Sequence, residues 1–299
     1  MDGKRVIGVD LGGTKILAGV VAADGTVERH RETMTPLESQ DELLLGLDDA
    51  VRELLDDRVV ALGFGVPSRI DRQSGRLQGS VNIPLGELDL RARMQERFVL
   101  PVAVENDANS ATYAEFRAGA GRDVQTMVML TLGTGVGGGV AIDGELYRGW
   151  AEFGHIVIEF DGVPCQGSCT GRGHLEGYVS GTAATKVAQE AFGSAVDSHR
   201  LVRLATEGDE RAVELLTGIG RRLGAGIGSL VNIFDPELVV IGGGFAAAGD
   251  FLFDPAREVM QREALAPESD RVRIVRAELG TTAGLIGAGL LAFDAAASA

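Results

Sequence analysis

Short apolar runs alternate with amphipathic segments along most of the chain. Four runs end at glycine, proline or polar residues and are typical of buried strands; they are residues 59–67, 101–107, 237–244 and 272–277. Apolar side chains recur at helical spacing in five other stretches, which are residues 40–57, 108–121, 180–193, 208–233 and 282–296. This alternation predicts an α/β protein with mixed β-sheets and helices on both faces.

One hairpin pattern occurs twice. The stretches VIGVDLGGTKILAGVVAADGTV (6–27) and VMLTLGTGVGGGVAIDGEL (128–146) each read as an apolar strand, a Gly/Thr turn, a second strand and an Asp-Gly turn. The repeat predicts a duplicated fold whose two glycine turns face a single cleft. We predict a small N-terminal domain over residues 1–110 and a large C-terminal domain over 111–283. The C-terminal helix, about 284–299, is expected to pack back on the small domain.

The glycine turns are candidates for binding phosphate. Turns 12–14 and 133–135 combine backbone N–H groups with threonine hydroxyls, the donors that surround phosphate oxygens. Glycines 242–244 form a third such segment at a strand end. Each turn alone is equally expected of a plain tight hairpin, but three of them favour phosphate binding. None has the P-loop spacing, and a Rossmann dinucleotide site is the weaker alternative.

Two aspartates stand beside predicted strand ends. Asp107 follows a strand and precedes a helix, where the helix dipole favours an ionised carboxylate able to accept a hydroxyl proton. Capping of that helix by Asp107 or Asn109 is an alternative that the sequence leaves open. Asp10 adjoins the first glycine turn and could hold a water of a magnesium ion; its alternative role is to stabilise the turn.

Both cysteines and two of the four histidines lie within one window of twenty residues. The spacing H-x9-C-x3-C-x4-H offers four nitrogen and sulfur ligands, the number that a closed tetrahedral zinc site requires. A disulfide or a chance cluster of polar residues is the alternative. Such a loop, 155–176, would hold the flanking Glu152 and Glu176 as fixed acceptors, which suits recognition of a polyol.

Composition narrows the choice of partners and compartment. A net charge of −15 argues against nucleic acid and against anionic membrane surfaces. The N-terminal residues show no apolar signal segment, and no run reaches the ~18 apolar residues of a membrane span. The chain has only two cysteines in 299 residues, which favours the cytoplasm. In that compartment such pairs bind metal more often than they form disulfides.

Together these motifs resemble the ROK family of repressors and sugar kinases, and within it the bacterial glucokinases, along essentially the whole chain. DLGGTK (10–15) and TLGTGVGGG (131–139) resemble its two phosphate motifs, ENDANSATYAE (105–115) its catalytic segment, and EFGH (152–155) its E-x-G-H element. CQGSCTGRGHLE (165–176) is similar to its zinc signature. It differs by three residues between the cysteines where one is usual, and by His174 where a third cysteine is usual.

The resemblance implies the actin/hexokinase-like fold and ATP-dependent phosphorylation of a hexose C6 hydroxyl, with glucose first and Asp107 as the base. The implied sugar contacts are Gly65, Asn82, Asn106, Asp107, Glu152, His155 and Glu176. The implied nucleotide and magnesium site comprises Asp10, Gly12, Gly13, Thr14, Lys15, Gly133, Thr134, Gly135, Gly243 and Gly244. Structural zinc is implied at His155, Cys165, Cys169 and His174. Family members commonly form dimers, so a homodimer is also implied.

Several alternatives stay open at this stage. N-acetylmannosamine, N-acetylglucosamine, fructose or allose could replace glucose, because one or two pocket side chains decide the sugar. Polyphosphate could replace ATP as the donor. A sugar-responsive repressor of the same family is the third possibility. Such repressors carry a DNA-binding segment ahead of the first phosphate motif, which begins here at Asp10.

Overall fold

Two five-stranded mixed sheets organise the protein, and they share one strand order. The structure, a computed structural model, describes residues 3–71, 74–80, 83–265 and 271–298. The first sheet runs β3-β2-β1-β4-β7 and the second runs β10-β9-β8-β11-β12. The described strands are β1 Arg5–Leu11, β2 Lys15–Val21, β3 Val27–Met34, β4 Val59–Val66, β5 Leu77–Gln78, β6 Glu87–Leu88, β7 Val102–Asn106, β8 Met127–Leu132, β9 Val136–Ile142, β10 Glu145–Leu146, β11 Leu238–Gly242 and β12 Arg273–Arg276.

Helices fill the connections between these strands, as the α/β pattern predicts. The described α-helices are α1 Gln40–Arg52, α2 Leu90–Phe98, α3 Asp107–Ala118, α4 Glu176–Val179, α5 Gly181–Phe192, α6 Ser198–Thr206, α7 Glu210–Phe234, α8 Asp250–Glu263 and α9 Ala283–Ala297. Apart from the elements of two to four residues, β3, α2, α6 and α8 were not among the strands and helices expected from the sequence. Strand β3 lies at the sheet edge with mostly exposed side chains, and α2 buries only Leu90 and Met94. Neither therefore carries a strong apolar pattern.

The chain divides into two compact units. Unit 1 comprises Met1–Arg122 with Thr281–Ala299, and unit 2 comprises Asp123–Gly280. The boundary expected after residue 110 falls inside α3, whereas the units divide after Arg122. The reason is packing: α3 lies along α9 and also contacts β4 and β7, so the whole helix belongs to unit 1.

Helix α9 is the apolar centre of unit 1. It packs against β1, β4 and α3, and its Leu285 and Ala292 are fully buried. The stretch Gly280–Ala297 is long and apolar enough to cross a membrane by length and composition, although the sequence pattern predicted no such run. Because 61% of that stretch is buried inside the protein, it has the character of a core helix.

Unit 2 is built around the 25-residue helix α7. Asp209 caps its first turn by accepting a hydrogen bond from Ala212 N at 2.9 Å, and the helix ends at Asp235 in the left-handed conformation. Its buried face, which includes Leu223 and Ile227, shares one hydrophobic core with β8, β11 and α8. These contacts fix the ends of the strands that carry the glycine turns.

Candidate active site and metal centre

Three parallel strands of unit 1 end side by side and bring predicted site residues together. In the parallel pairing of β1 with β4, Asp10 lies opposite Gly65. In the pairing of β4 with β7, Val66 lies opposite Asn106. The carboxyl ends of parallel strands meet at one edge of a sheet, which is where ligands bind in α/β folds. Asp10, Gly65 and Asn106 therefore share one edge.

Asp107 is the first residue of α3, directly after this edge. The helix cap is Asn106, whose side-chain oxygen accepts from Ala108 N at 3.0 Å and from Asn109 N at 3.1 Å. The capping role that the sequence left open for Asp107 or Asn109 thus belongs to Asn106. Asp107 Oδ1 accepts from Asn106 Nδ2 and from Ala108 N, both at 2.9 Å. Donors to a carboxylate at a helix N-terminus favour its ionised form.

Asp10 and Asp107 influence each other electrostatically. Burial, and secondly the charge of Asp107, raise the pKa of Asp10 from 3.8 to about 7. Two neighbouring carboxylates disfavour each other's ionisation, and a divalent cation would relieve that repulsion. The donor chemistry here therefore fits magnesium, which binds through one or two carboxylates together with substrate phosphates.

The first glycine turn is fixed through its carbonyl groups. Thr35 Oγ1 donates to Gly12 O at 2.7 Å, and Thr35 N donates to Thr14 O at 2.9 Å. Gly13 and Thr14 are exposed. The ammonium of Lys15 pairs with Glu32 at 2.5 Å on the exposed surface, so in this structure Lys15 serves a local ion pair.

The second glycine turn borders a cavity of about 330 Å³ in unit 2. Its lining comprises Gly133, Thr134, Gly181, Thr182, Thr185, Ser198, His199, Gly244 and Phe245. A cavity of this size suits a small ligand. Gly243 has φ +83°, and a Cβ there would lie 2.4 Å from Leu132 O, so only glycine fits this close approach.

Sequence reasoning missed the cavity residues outside the glycine segments. Thr182 and Thr185 lie in the first turns of α5, while Ser198 and His199 begin α6. Only the N-caps of these helices, Ser180 and Asp197, could have indicated that helix ends converge there.

The four predicted zinc ligands come together in unit 2. One ligand atom from each of His155, Cys165, Cys169 and His174 lies within 4.8 Å of the others. Both cysteines are free thiols, and Cys169 Sγ lies 3.6 Å from His174 Nδ1. His155 Nδ1 is buried and has no hydrogen-bond partner among the described residues.

The chemistry of this cluster suits a metal ion. Burial raises the pKa of the Cys165 thiol to about 11, since the thiolate is poorly solvated there without a cation. Two thiols and two imidazoles within one ligand sphere, one with an orphaned ring nitrogen, match the tetrahedral ligand set of zinc.

The remaining predicted residues differ in their surroundings. The carboxylate of Glu152 is 56% exposed and lies 3.7 Å from His155 Nδ1. The carboxylate of Glu176 is already engaged, because its Oε2 accepts from Val136 N at 2.8 Å. Asn82 lies outside the residues that the structure describes.

Two sheets of the same order, each headed by a glycine-turn hairpin, define the actin-like ATPase fold. A model of the ROK family matches residues 6–295, and the chain belongs to that family. It is 33% identical over 316 residues to a glucokinase of Streptomyces coelicolor, covering 96% of each chain.

Solved structures agree with this assignment. A ROK family glucokinase from Streptomyces griseus, crystallised with glucose and AMPPNP, is 35% identical with a TM-score of 0.81 and coverage of 97% of this chain and 99% of that chain. A ROK hexokinase from Thermus thermophilus is 34% identical with a TM-score of 0.84 and coverage of 99% and 100%. The family and fold expected from the sequence motifs are thereby confirmed.

Proposed function

We propose that this protein transfers the γ-phosphoryl group of ATP to the C6 hydroxyl of a hexose, with glucose preferred. The ROK family match and the similar glucokinases make the chain an ATP-dependent hexose kinase. The glucose preference is supported by the S. coelicolor and S. griseus glucokinases, at 33% and 35% identity over nearly the whole chain.

The observation that carries the proposal is the placement of Asp107. Its carboxylate is held by two donors at the start of α3, at the edge that also carries Asp10. We assign Asp107 as the general base, which takes the proton of the C6 hydroxyl while that oxygen attacks the γ-phosphorus. The bond between the γ-phosphorus and the leaving oxygen breaks, and ADP departs.

The other sugar contacts remain proposals that rest on the family motifs. We assign Gly65 and Asn106 of unit 1, together with Asn82. In unit 2 we assign Glu152, His155 and Glu176. Carboxylates and amides held in fixed positions discriminate between sugars, because a missing hydroxyl leaves a buried polar group unpaired.

We assign the nucleotide mainly to unit 2, and by the family pattern we keep Gly12, Gly13 and Thr14 of the first glycine turn as proposed phosphate contacts. The glycine turn 133–135 would contact phosphate oxygens with backbone N–H groups, and Gly243 and Gly244 would contribute from the end of β11. The adjoining cavity, with Thr185, His199 and Phe245 in its wall, suits the nucleoside. A magnesium ion near Asp10, when bound with ATP, would neutralise phosphate charge.

We further propose that His155, Cys165, Cys169 and His174 hold zinc. Four protein ligands leave no open position, so the ion would contribute folding energy to the 155–176 loop. By the family pattern we also propose a cytoplasmic homodimer.

The test is ADP release from the purified chain, measured with ATP and a panel of glucose, N-acetylmannosamine, N-acetylglucosamine, fructose and allose. We expect the highest kcat/KM for glucose. A higher value for another sugar would overturn the glucose preference alone. If no sugar raised ADP release above ATP hydrolysis, hexose kinase activity would be refuted. Replacing ATP by polyphosphate, with sugar phosphate as the readout, tests the donor.

A further inference from the structure

Glu176 stands between the metal cluster and the second glycine turn. Its Oε2 accepts from Val136 N at 2.8 Å, while its Oε1 accepts from Cys165 Sγ at 3.8 Å. A Cβ at Gly135 would lie 2.4 Å from Oε2, so glycine at that position lets the carboxylate reach the turn. One side chain thus contacts both a proposed zinc ligand and the turn assigned to phosphate.

Gln166 makes a second connection from the same loop. It lies between the two cysteines, and its Nε2 donates to Glu176 O at 3.1 Å and to Ser180 Oγ at 2.6 Å. Ser180 is fully buried and caps α5 by accepting from Ala183 N at 3.0 Å. The amide of Gln166 therefore ties the cysteine loop to the start of α5.

The start of α5 in turn holds the glycine turn. Gly181 N donates to Gly133 O, and Thr182 Oγ1 donates to Thr134 O, both at 2.8 Å. Together with the bond from Val136 N to Glu176, these contacts hold the turn at Gly133, Thr134 and Val136. A continuous set of hydrogen bonds leads from Gln166, between the two cysteines, through Ser180 and the start of α5 to the turn.

We infer that filling the His155, Cys165, Cys169 and His174 cluster with metal strengthens nucleotide binding, with Glu176 and Gln166 as positioning residues. A bound metal would fix the cysteine loop, and the loop would fix the turn to which we assign phosphate binding. Coupling free energies between sites correspond to about 5–150-fold in affinity, and the coupling is reciprocal. The inference rests on the proposed nucleotide site in unit 2.

The experiment measures the coupling in both directions on the full-length chain. The affinity for Mg-AMPPNP is determined by calorimetry with zinc-loaded and with chelated protein, and zinc affinity is determined with and without Mg-AMPPNP. We expect zinc to tighten Mg-AMPPNP binding about fivefold or more. Mg-AMPPNP should tighten zinc binding by the same factor.

Variants then separate this route from a general loss of structure. Gln166→Ala should still bind zinc and Mg-AMPPNP, but with the coupling factor reduced at least by half. Gln166→Glu, which keeps the size of the side chain but replaces the donating amide with a carboxylate, should do the same and serves if Gln166→Ala fails to fold. Glu190→Gln, an exposed change on the same α5, is the matched control and should keep the wild-type factor.

The outcomes distinguish the inference from the proposed function. Equal Mg-AMPPNP affinity with and without zinc, or no zinc binding, overturns the inference and leaves the kinase assignment intact. Undiminished coupling in both variants overturns the assigned route. If no form of the protein binds Mg-AMPPNP, the proposed function fails, and the inference fails with it.

Discussion

The two units have the same sheet but different chemistry at the same position. In unit 1, Asp10 of β1 lies opposite Gly65 of β4. In unit 2, Thr131 of β8 lies opposite Gly242 of β11 at the corresponding place, two residues before the glycine turn. One unit therefore presents a carboxylate where the other presents a hydroxyl. The proposed function assigns the base to the unit with the carboxylate and the nucleotide to the unit with the hydroxyl.

The two glycine turns also differ, both in length and in the residues that hold them. Residues 12–15 separate the paired residues Leu11 and Ile16, whereas only residues 133–135 separate Leu132 and Val136. The first turn is fixed by Thr35 through its carbonyls, while the second is held by α5 and Glu176. The second turn is thus connected through Glu176 to the cluster of cysteines and histidines. Among the described residues, the first turn shows no such connection to that cluster.

The largest effect is expected at Asp107, the proposed base in unit 1. Asp107→Asn removes the proton acceptor but keeps an oxygen for the helix donors, so kcat should fall about 10²–10⁴-fold. Glucose affinity should stay within about tenfold. Steady-state ADP release and equilibrium glucose binding check both parts, and wild-type turnover in this variant would refute the assignment of the base.

The next largest effect is expected at Gly243, at the end of β11 in unit 2. Gly243→Ala should lower the free energy of unfolding by about 2–3 kcal/mol, because the new Cβ meets Leu132 backbone and φ is positive. Gly244→Ala is the matched control, since a Cβ there meets nothing within 4 Å. Its stability should change by less than about 0.5 kcal/mol. Urea unfolding compares the two variants, and equal losses would contradict the close approach.

A pH-dependent effect should distinguish Asp10 from Thr131. The folded pKa of Asp10, about 7, lies above its ordinary value of 3.8. The folded state therefore binds this proton more tightly than the unfolded chain, and the contribution of Asp10 to stability falls as pH rises between about 4 and 7. Without magnesium, Asp10→Asn should stabilise the protein more at pH 8 than at pH 5, by on the order of 2 kcal/mol.

Thr131→Val is the corresponding change in unit 2. It introduces no change in titratable groups, so its effect on unfolding should be the same at both pH values. Urea unfolding of both variants and the wild type at pH 5 and pH 8 gives the change in the free energy of unfolding for each variant at each pH. A pH-independent effect of Asp10→Asn would show that the pKa of this carboxyl group is not raised.

The smallest effect is expected at Lys15. Its exposed ion pair with Glu32 should contribute less than about 1 kcal/mol, so Lys15→Met should leave unfolding nearly unchanged. The KM for ATP should stay within about threefold. A loss of tenfold or more in ATP affinity would favour the phosphate contact that the family motif implies.

Local patterns predicted most of the fold but not all of the site. The repeat predicted both hairpins, and helical spacing located α7 within two residues at its start and one at its end. It placed the end of α1 at residue 57, whereas the helix ends at Arg52. Chain turns such as Asp24-Gly25 and Asp143-Gly144 are encoded locally, and Asp143 and both glycines indeed have positive φ.

The unpredicted parts depend on contacts between distant residues. His199 enters the cavity wall only because α6 begins near the glycine turn, which lies some 65 positions earlier in the chain. The bond between Glu176 and Val136 spans 40 residues, and no spacing rule could indicate it. The pKa of Asp10 likewise reflects burial and Asp107, which the sequence places 97 residues away.

One measurement directly tests the proposal that the base belongs to unit 1 and nucleotide binding to unit 2. Mg-AMPPNP affinity of Asp107→Asn, determined by calorimetry beside the wild type, reports whether the base in unit 1 is separate from nucleotide binding in unit 2. Separate roles predict the same Kd within about threefold, although turnover is lost. A Kd weakened tenfold or more would contradict the assignment of the two chemistries to different units.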